Sequence, residues 1–389
     1  MEYEIIIAGG GMVGAALAGL LGQAGKQVAV LEATIPQAFS ANDPFDHRVS
    51  ALSRASQRLL EKAGAWQAVV AKRAAPYENM QVWDATGSGL IRFEAADLGE
   101  PDLGHIVENR VLQLALLETL KNYPSVELLC PARLSSFEVT SQHIAVTLAD
   151  GRHLTASLLI GADGAQSAVR SLADLPYEVL DYGQKGLVCT AFTALPHAAT
   201  AWQRFLPAGP LAFLPLSDPN ACSIVWTLPA DQADAALLWS EERFKRELGQ
   251  ALDFRLGEVL SIGERAAFPL RGLNAQSYVQ ERIALLGDAA HTIHPLAGQG
   301  VNLGFKDAQA LAELILANEA ADYGSLKLLR RYERSRRGDN LLTQKAMEGF
   351  SLLFGNTLAP WQMLRNTGLS TVNQLPLLKY QLARRAMGL

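Results

Sequence analysis

The sequence contains few cysteines, and their spacing suggests no chemistry. Only three of the 389 residues are Cys, at positions 130, 189 and 222. An odd count without redox or metal-ligand spacing argues against a disulfide framework and against a structural metal. The pattern is typical of a reducing compartment, so we expect a cytoplasmic protein that holds no metal.

The chain also lacks a basic cluster and a long apolar run. Its 34 Lys and Arg are scattered among 39 Asp and Glu, for a net charge of −5. This distribution provides no positive surface that would attract the phosphates of a nucleic acid. No stretch reaches the roughly 20 uninterrupted apolar residues of a spanning helix. The apolar N-terminus carries Glu2 and Glu4 where an export signal needs positive charge, so we expect no such signal.

The chain is too long for a single compact core. Hydrophobic cores stop growing at about 250 to 300 residues, and this chain has 389 residues of ordinary globular composition. We therefore expect two closely joined domains.

An apolar run near the N-terminus leads into a glycine-rich turn. Ile5 to Ala8 has the pattern of a buried strand, and Gly-Gly-Gly-Met-Val-Gly follows it before an Ala- and Leu-rich helix. In a dinucleotide-binding βαβ unit, Gly9 would form the tight turn and Gly11 would let a pyrophosphate approach the backbone, while Gly14 would allow close helix packing. By itself this motif is a weak indicator.

The next residues strengthen the case for nucleotide binding. Gln27 to Leu31 has the pattern of a second strand, and Glu32 lies 18 residues after Gly14. An acidic side chain in this place binds the ribose hydroxyls of a dinucleotide. It favours an adenosine ribose without a 2′-phosphate, a condition that FAD meets.

A second candidate site lies in the stretch from Arg282 to Gly304. The apolar run Ile283 to Leu286 predicts a short buried strand, after which Asp288 would emerge at the strand's carboxyl end, where open α/β sheets bind ligands. A proline and three glycines surround the predicted start of the next helix, at Pro295, Gly298, Gly300 and Gly304. Bare N–H groups there could face a ligand. The alternative is an ordinary turn after a strand.

Residues 287–304 closely resemble the signature of the ubiquinone-biosynthesis flavin hydroxylases. They read Gly-Asp-Ala-Ala-His-Thr-Ile-His-Pro-Leu-Ala-Gly-Gln-Gly-Val-Asn-Leu-Gly. These enzymes belong to the single-component aromatic hydroxylases. The resemblance implies that Asp288 holds the ribityl chain of FAD and that the turn from proline to glycine borders the isoalloxazine ring. The cofactor-binding residues that it implies here are Asp288, Pro295, Gly298, Gly300, Val301 and Asn302. Pro295 and His294 are the catalytic candidates. Either His291 or His294 could relay a phenolic proton, since histidine titrates near neutrality, and the alternative for His291 is that it braces the turn.

Three further stretches match the same hydroxylases. Asp163-Gly164, followed by Ser167 and Arg170, resembles their second fingerprint, which links the flavin and nicotinamide regions. Arg48 and Arg110 stand where relatives carry arginines near the flavin or the incoming nicotinamide. The plain alternatives are a strand-ending turn at Asp163 and solvated surface arginines at the other two positions.

Short strand patterns between residues 177 and 268 predict a second sheet. Phe213, Pro215 and Trp226 are our candidates for an apolar substrate pocket, and plain core packing is the alternative. The implied architecture is α/β, a Rossmann-like FAD-binding domain of the aromatic-hydroxylase type interleaved with a β-sheet domain. The predicted boundaries are 1–75, 105–175 and 275–325 for the FAD-binding domain, 76–104 and 176–274 for the β-rich substrate domain, and 326–389 for a C-terminal helical region.

The resemblance implies an FAD-dependent aromatic-ring monooxygenase. It would use NADH or NADPH as electron donor and O₂ as co-substrate, and would hydroxylate a polyprenylated phenol through a flavin C4a-hydroperoxide. Likeness to the hydroxylase acting at ring C5 is carried by Leu103 to Asn109, Leu211 to Pro219 and Cys222 to Trp226. The alternatives are a sister hydroxylase acting at another ring position, a flavin reductase, and a non-enzymatic lipid-handling subunit.

The C-terminal segment from Phe350 to Leu389 contains no acidic residue. Its basic residues are Arg365, Lys379, Arg384 and Arg385. One interpretation is a helical segment, beginning again near Pro376, that packs on the body or on another copy in a homo-oligomer. The other is peripheral contact with the inner face of a membrane, or with other ubiquinone-biosynthesis proteins, because a polyprenyl substrate is nearly insoluble.

Overall fold

The computed structural model describes residues 2–293, 300–318, 322–355 and 358–389. The fold is α/β, as predicted, and its strands form three sheets. The strands are Glu2–Ala8 (β1), Val28–Leu31 (β2), Val49–Ser53 (β3), Ala75–Tyr77 (β4), Asn79–Asp84 (β5), Leu90–Glu94 (β6), Gly104–Glu108 (β7), Val126–Leu129 (β8), Leu134–Val139 (β9), Ile144–Leu148 (β10), His153–Gly161 (β11), Tyr177–Thr193 (β12), Thr200–Leu206 (β13), Gly209–Pro215 (β14), Ala221–Pro229 (β15), Val259–Ile262 (β16), Ala266–Ala275 (β17), Val279–Gln280 (β18), Ile283–Leu285 (β19) and His291–Thr292 (β20).

Helices connect and cover these strands. They are Met12–Gln23 (α1), Arg54–Lys62 (α2), Trp66–Lys72 (α3), Asn109–Leu120 (α4), Ala168–Leu172 (α5), Ala230–Leu237 (α6), Glu241–Ala251 (α7), Gly300–Leu316 (α8), Leu326–Gly355 (α9), Ala359–Gln374 (α10) and Pro376–Met387 (α11). Short 3-10 helices span Ala95–Leu98 and Gly287–Ala289. In the part of the chain that the structure describes, no helix combines the length and the apolar character needed to cross a bilayer.

The first sheet has a parallel centre that fixes the position of the site. Its strand order is β18-β19-β11-β1-β2-β8, and β9 and β10 extend it beside β11. The β1 side chains of Ile5, Ile6 and Ile7 are fully buried, as expected for a central strand covered on both faces. Because β1, β2, β11 and β19 run in the same direction, the residues that follow them meet at one edge of the sheet.

The second sheet is mostly antiparallel and has two different faces. Its order is β20-β17-β12-β15-β14-β13-β5-β6, with β16 paired to β12. One face packs against α6 and α7 in a core that includes Phe213, Trp226 and Phe244. Successive side chains of a strand point to opposite faces, so the intervening residues face the first sheet and the C-terminal helices. A small third sheet of order β3-β7-β4 contains the strand that precedes α4.

The C-terminal helices pack on the body of the protein. α9 contacts α8, and α10 contacts β6. Arg365 of α10 forms a buried ion pair with Asp84 of β5 and donates to the Thr86 hydroxyl at 2.7 Å. The Phe354 ring of α9 stacks on Phe205 of β13 with a centroid separation of 3.7 Å. Much of the C-terminal segment therefore belongs to the folded core.

Candidate functional site

A cleft of about 1000 Å³ lies where the carboxyl ends of the first sheet's parallel strands face the second sheet. Residues after β1, β2, β11 and β19 form one wall, and residues of β12, β15 and β17 form the other. A cleft of this size at the carboxyl edge of a parallel sheet is the expected place for a large nucleotide ligand.

The glycine turn after β1 is shaped for close approach of a ligand. Gly9 has a φ of +109°, and a Cβ there would lie 2.4 Å from the Ala162 carbonyl oxygen. A Cβ on Gly14 would lie 2.0 Å from the Gly9 oxygen. A Cβ on Gly11 would meet nothing within 4 Å, so the first N–H groups of α1 face open space in the cleft. This cradle fits the pyrophosphate of a dinucleotide.

Glu32 lines the cleft at the end of β2, as predicted for a ribose-binding acid. Its carboxylate accepts hydrogen bonds from the backbone N–H of Gly10 at 3.0 Å and of Thr34 at 2.9 Å. These two donors fix the carboxylate beside the glycine turn. Sequence reasoning missed Gln113 of α4, whose side-chain amide donates to the Gly10 carbonyl oxygen at 3.0 Å and supports the turn from behind.

Asp288 lies on the cleft floor, at the point where β19 ends. Gly287 before it has a φ of +59°, and a non-glycine residue would be strained in this conformation. The Asp288 side chain is reached by solvent in the cleft, although protein surrounds it on the other sides. Desolvation raises the pKa of the carboxyl, and nearby His291 and Arg48 act in the opposite direction.

The second fingerprint lies beside Asp288 in space. Asp163 Oδ2 accepts from the N–H groups of Ala168 and Val169, at 2.7 and 3.1 Å, and its buried Oδ1 has no partner among the described residues. The Arg170 guanidinium is buried and donates to the Ala289 carbonyl oxygen at 2.8 Å. The residues after β11 therefore line the cleft and also hold the chain next to Asp288.

The two predicted arginines have different surroundings. Arg48 lines the cleft. Arg110 does not, because its guanidinium is paired with Asp43 at 3.2 Å and Asp46 at 3.1 Å and also donates to the Ala38 carbonyl oxygen. Arg110 therefore holds the loop that follows β2, and the flavin contact expected for it stays a prediction.

The start of α8 has one part that faces the cleft and one that does not. Gly300 and Val301 line the cleft. The Asn302 amide oxygen accepts from the N–H of Ser53 at 3.0 Å and the Ser56 hydroxyl at 2.6 Å, so it ties α8 to the start of α2. Its cofactor contact stays a prediction. His294, Pro295 and Gly298 lie outside the described residues.

The substrate-pocket candidates face away from the cleft. Phe213, Pro215 and Trp226 are buried, and Phe213 and Trp226 pack with α7 on the opposite face of the second sheet. On the wall formed by the second sheet, the apolar side chains that line the cleft include Val188, Val225, Phe268 and Leu270. Strand alternation is the signal that would have found them, because Val225 and Trp226 must point to opposite faces.

Comparison with known proteins identifies the family. The family described as "FAD binding domain" matches residues 2–344. The 3-demethoxyubiquinol 3-hydroxylase of Escherichia coli K12 is 40% identical over 390 residues, which cover 99% of this chain and 98% of the relative. Ubiquinone hydroxylase UbiL of Rhodospirillum rubrum is 37% identical over 387 residues, covering 99% and 89%.

A solved structure agrees with these relatives. The crystal structure of pqsL, a probable FAD-dependent monooxygenase from Pseudomonas aeruginosa, superposes with a TM-score of 0.77 at 26% identity, covering 95% of this chain and all of that one. Monooxygenases of this class use NAD(P)H and O₂ together with FAD. The chain therefore belongs to the ubiquinone-biosynthesis hydroxylases of the FAD-binding family and is an FAD-dependent aromatic-ring monooxygenase.

Proposed function

We propose that this protein hydroxylates the aromatic ring of a polyprenylated ubiquinone precursor, at the position named for the Escherichia coli relative. The observation that carries the proposal is the 40% identity to the 3-demethoxyubiquinol 3-hydroxylase, which extends over 99% of the chain. Because the alignment extends over nearly the whole chain, it includes the residues that form both walls of the cleft.

The residues of the cleft support this chemistry. FAD would be held by the Gly9 turn, Glu32 and Asp288, and when bound it supplies electrons from NAD(P)H to activate O₂ for attack on an electron-rich ring. Val188 and Val225 give the opposite wall an apolar surface. Such a wall orients an aromatic ring by packing and excludes water from the reaction.

A second candidate is hydroxylation of a 2-polyprenylphenol at ring C5. It is favoured by the resemblance of Leu103 to Asn109, Leu211 to Pro219 and Cys222 to Trp226 to the C5 hydroxylase. The name of the Escherichia coli relative points to a different ring position. The two candidates share the cleft and its cofactor, and they differ in the substrate and in the ring position that is hydroxylated.

The decisive experiment supplies the purified holoenzyme with NAD(P)H and ¹⁸O₂ and offers each substrate separately, with a short prenyl chain for solubility. We expect one ¹⁸O atom in the product of demethoxyubiquinol, at the position named for the relative. Labelling of 2-polyprenylphenol alone, at C5, would establish the second candidate instead. NAD(P)H oxidation without O₂ uptake would indicate a reductase and would refute both.

We also propose that the C-terminal segment contacts an anionic membrane surface. Arg365 is buried with Asp84, and Lys379 is paired with Asp97 at 2.8 Å, so two of the four basic residues are occupied within the fold. Arg384 and Arg385 remain exposed, and the exposed fraction of Leu377 is 81%. Two basic residues contribute about 2 kcal/mol to the binding free energy at an anionic surface. A contact of this strength is reversible and weakens with salt.

Self-association into a homo-oligomer and contact with other ubiquinone-biosynthesis proteins stay predictions from the sequence. Light scattering of the purified protein at increasing concentration tests the first. Co-purification with named proteins of the same biosynthetic route tests the second.

A further inference from the structure

One buried carboxylate holds the turn around Asp288 from outside the cleft. Asp307 of α8 has no exposed surface. Its Oδ2 accepts from the Gly287 N–H at 3.1 Å and from His291 Nε2 at 2.5 Å. Gly287 and His291 stand on either side of Asp288 in the chain. We call residues 287–291 the Asp288 turn.

The other oxygen of the same carboxylate is held by α9. Asp307 Oδ1 accepts from Arg336 Nε at 2.9 Å and from the Asn340 amide at 3.1 Å. Burial acts to raise the pKa of Asp307, but His291 and Arg336, through charge and hydrogen bonds, outweigh it and hold the pKa below its usual value. Asp307 is therefore an ionised group with four donors, the arrangement that a buried carboxylate needs.

The Asp288 turn is held from two directions. Asp307 holds both of its ends, and Arg170 donates to the Ala289 carbonyl oxygen from the side of α5 at 2.8 Å. The middle of the turn presents Asp288 to the cleft. A shift of Gly287 or His291 would move the Asp288 carboxylate with it, because Asp288 directly follows Gly287 in the helical turn.

We propose that Asp307 is a positioning residue of the flavin site, acting through Gly287 and His291, and that Arg336 of α9 keeps its carboxylate in place. α9 thereby becomes part of the flavin site although it lies outside the cleft lining. The proposal rests on membership of the FAD-binding family and is independent of the ring position, because FAD binding can be measured without any substrate.

The test is Asp307→Asn, which keeps the shape of the side chain but points an NH₂ group at one pair of donors. Asp339→Asn is the matched control, because Asp339 pairs with Arg336 Nη1 at 2.9 Å and does not contact the turn. For Asp307→Asn we expect an FAD dissociation constant raised at least tenfold, together with a changed visible spectrum of the bound flavin. For Asp339→Asn the constant should stay within twofold of wild type.

A purely structural residue would lower the melting temperature and leave flavin binding by the folded fraction unchanged. A wild-type dissociation constant and spectrum in Asp307→Asn would therefore overturn the proposal. If Asp307→Asn does not fold, Arg336→Gln decides, with Arg336→Lys as the conservative variant. We expect weaker FAD binding in Arg336→Gln and recovery in Arg336→Lys. Unchanged binding in Arg336→Gln would refute the role assigned to the network.

Discussion

The carboxylates of Glu32 and Asp288 emerge at the same edge of the first sheet, but their surroundings differ. Both Glu32 oxygens already accept backbone hydrogen bonds, so its orientation is set before a ligand arrives. Each oxygen keeps a second lone pair that a ribose hydroxyl can use. Asp288 faces the open cleft, and its pKa is raised because protein surrounds the cleft floor.

This difference predicts the effect of Asp288→Asn. The exposed side chain contributes little to the fold, whereas hydrogen bonds from ligand hydroxyls to a carboxylate are worth about 1.5 to 3 kcal/mol. We therefore expect FAD affinity to fall by about ten- to a hundredfold while the stability of the flavin-free protein is kept. Flavin fluorescence titration and urea unfolding measure the two quantities.

Asp150→Asn is the matched control, since Asp150 is an exposed carboxylate in the turn between β10 and β11. Asp150→Asn should change neither the FAD affinity nor the stability of the flavin-free protein. Wild-type FAD affinity in Asp288→Asn would remove Asp288 from the cofactor site.

In strands β14 and β15, successive side chains point to opposite faces of the sheet. Side chains that pack in the core therefore lie on one face, and side chains that can contact a ligand lie on the other. Phe213 and Trp226 point into the core with α7, and Val225 points into the cleft. Phe213 is fully buried. The face of each strand therefore decides whether a large apolar side chain stabilises the fold or contacts a ligand.

We expect opposite effects from Phe213→Ala and Val225→Phe. Phe213→Ala should lower the free energy of unfolding by about 3 to 5 kcal/mol because it leaves a cavity in a packed core. Its KM for the aromatic substrate should stay near wild type. Val225→Phe should raise the KM severalfold with little change in stability, because it narrows the cleft. Urea unfolding and steady-state kinetics distinguish them. The reverse pattern would place the substrate on the other face of the sheet.

For the whole molecule, the distribution of charge is uneven. The net charge is −5, yet residues 350–389 contain no Asp or Glu. Ala383 and Met387 of α11 are buried, which fixes this helix on the body. Arg384, Arg385 and Leu377 then form the exposed contact surface that we propose for an anionic bilayer.

This proposal predicts that the triple variant Arg384→Gln, Arg385→Gln and Leu377→Ser binds anionic vesicles less well. We expect a loss of at least tenfold in the partition coefficient at low salt, with FAD content unchanged. Arg330→Gln with Arg331→Gln on α9 removes two exposed charges elsewhere and is the control. Equal flotation of both variants and of the wild type would exclude this surface as a membrane contact.

The sequence by itself determined the α/β fold class and the parts of the site that depend on local backbone geometry. Gly9 and Gly14 could be recognised because the close contact at each position admits no side chain. Glu32 and Asp288 could be recognised because parallel strands bring their carboxyl ends to one edge. The resemblance to a known family then supplied the cofactor.

Only the tertiary structure decided which side chains reach the cleft and which are occupied elsewhere. Arg110 pairs with Asp43 and Asp46, and Arg365 pairs with Asp84, 281 residues away. Such pairings depend on how distant elements pack, and no local pattern encodes them. The same holds for Asp307, whose four donors come from the Asp288 turn and from α9. A buried charge is stable only where the fold brings such donors together, so its role becomes visible only in three dimensions.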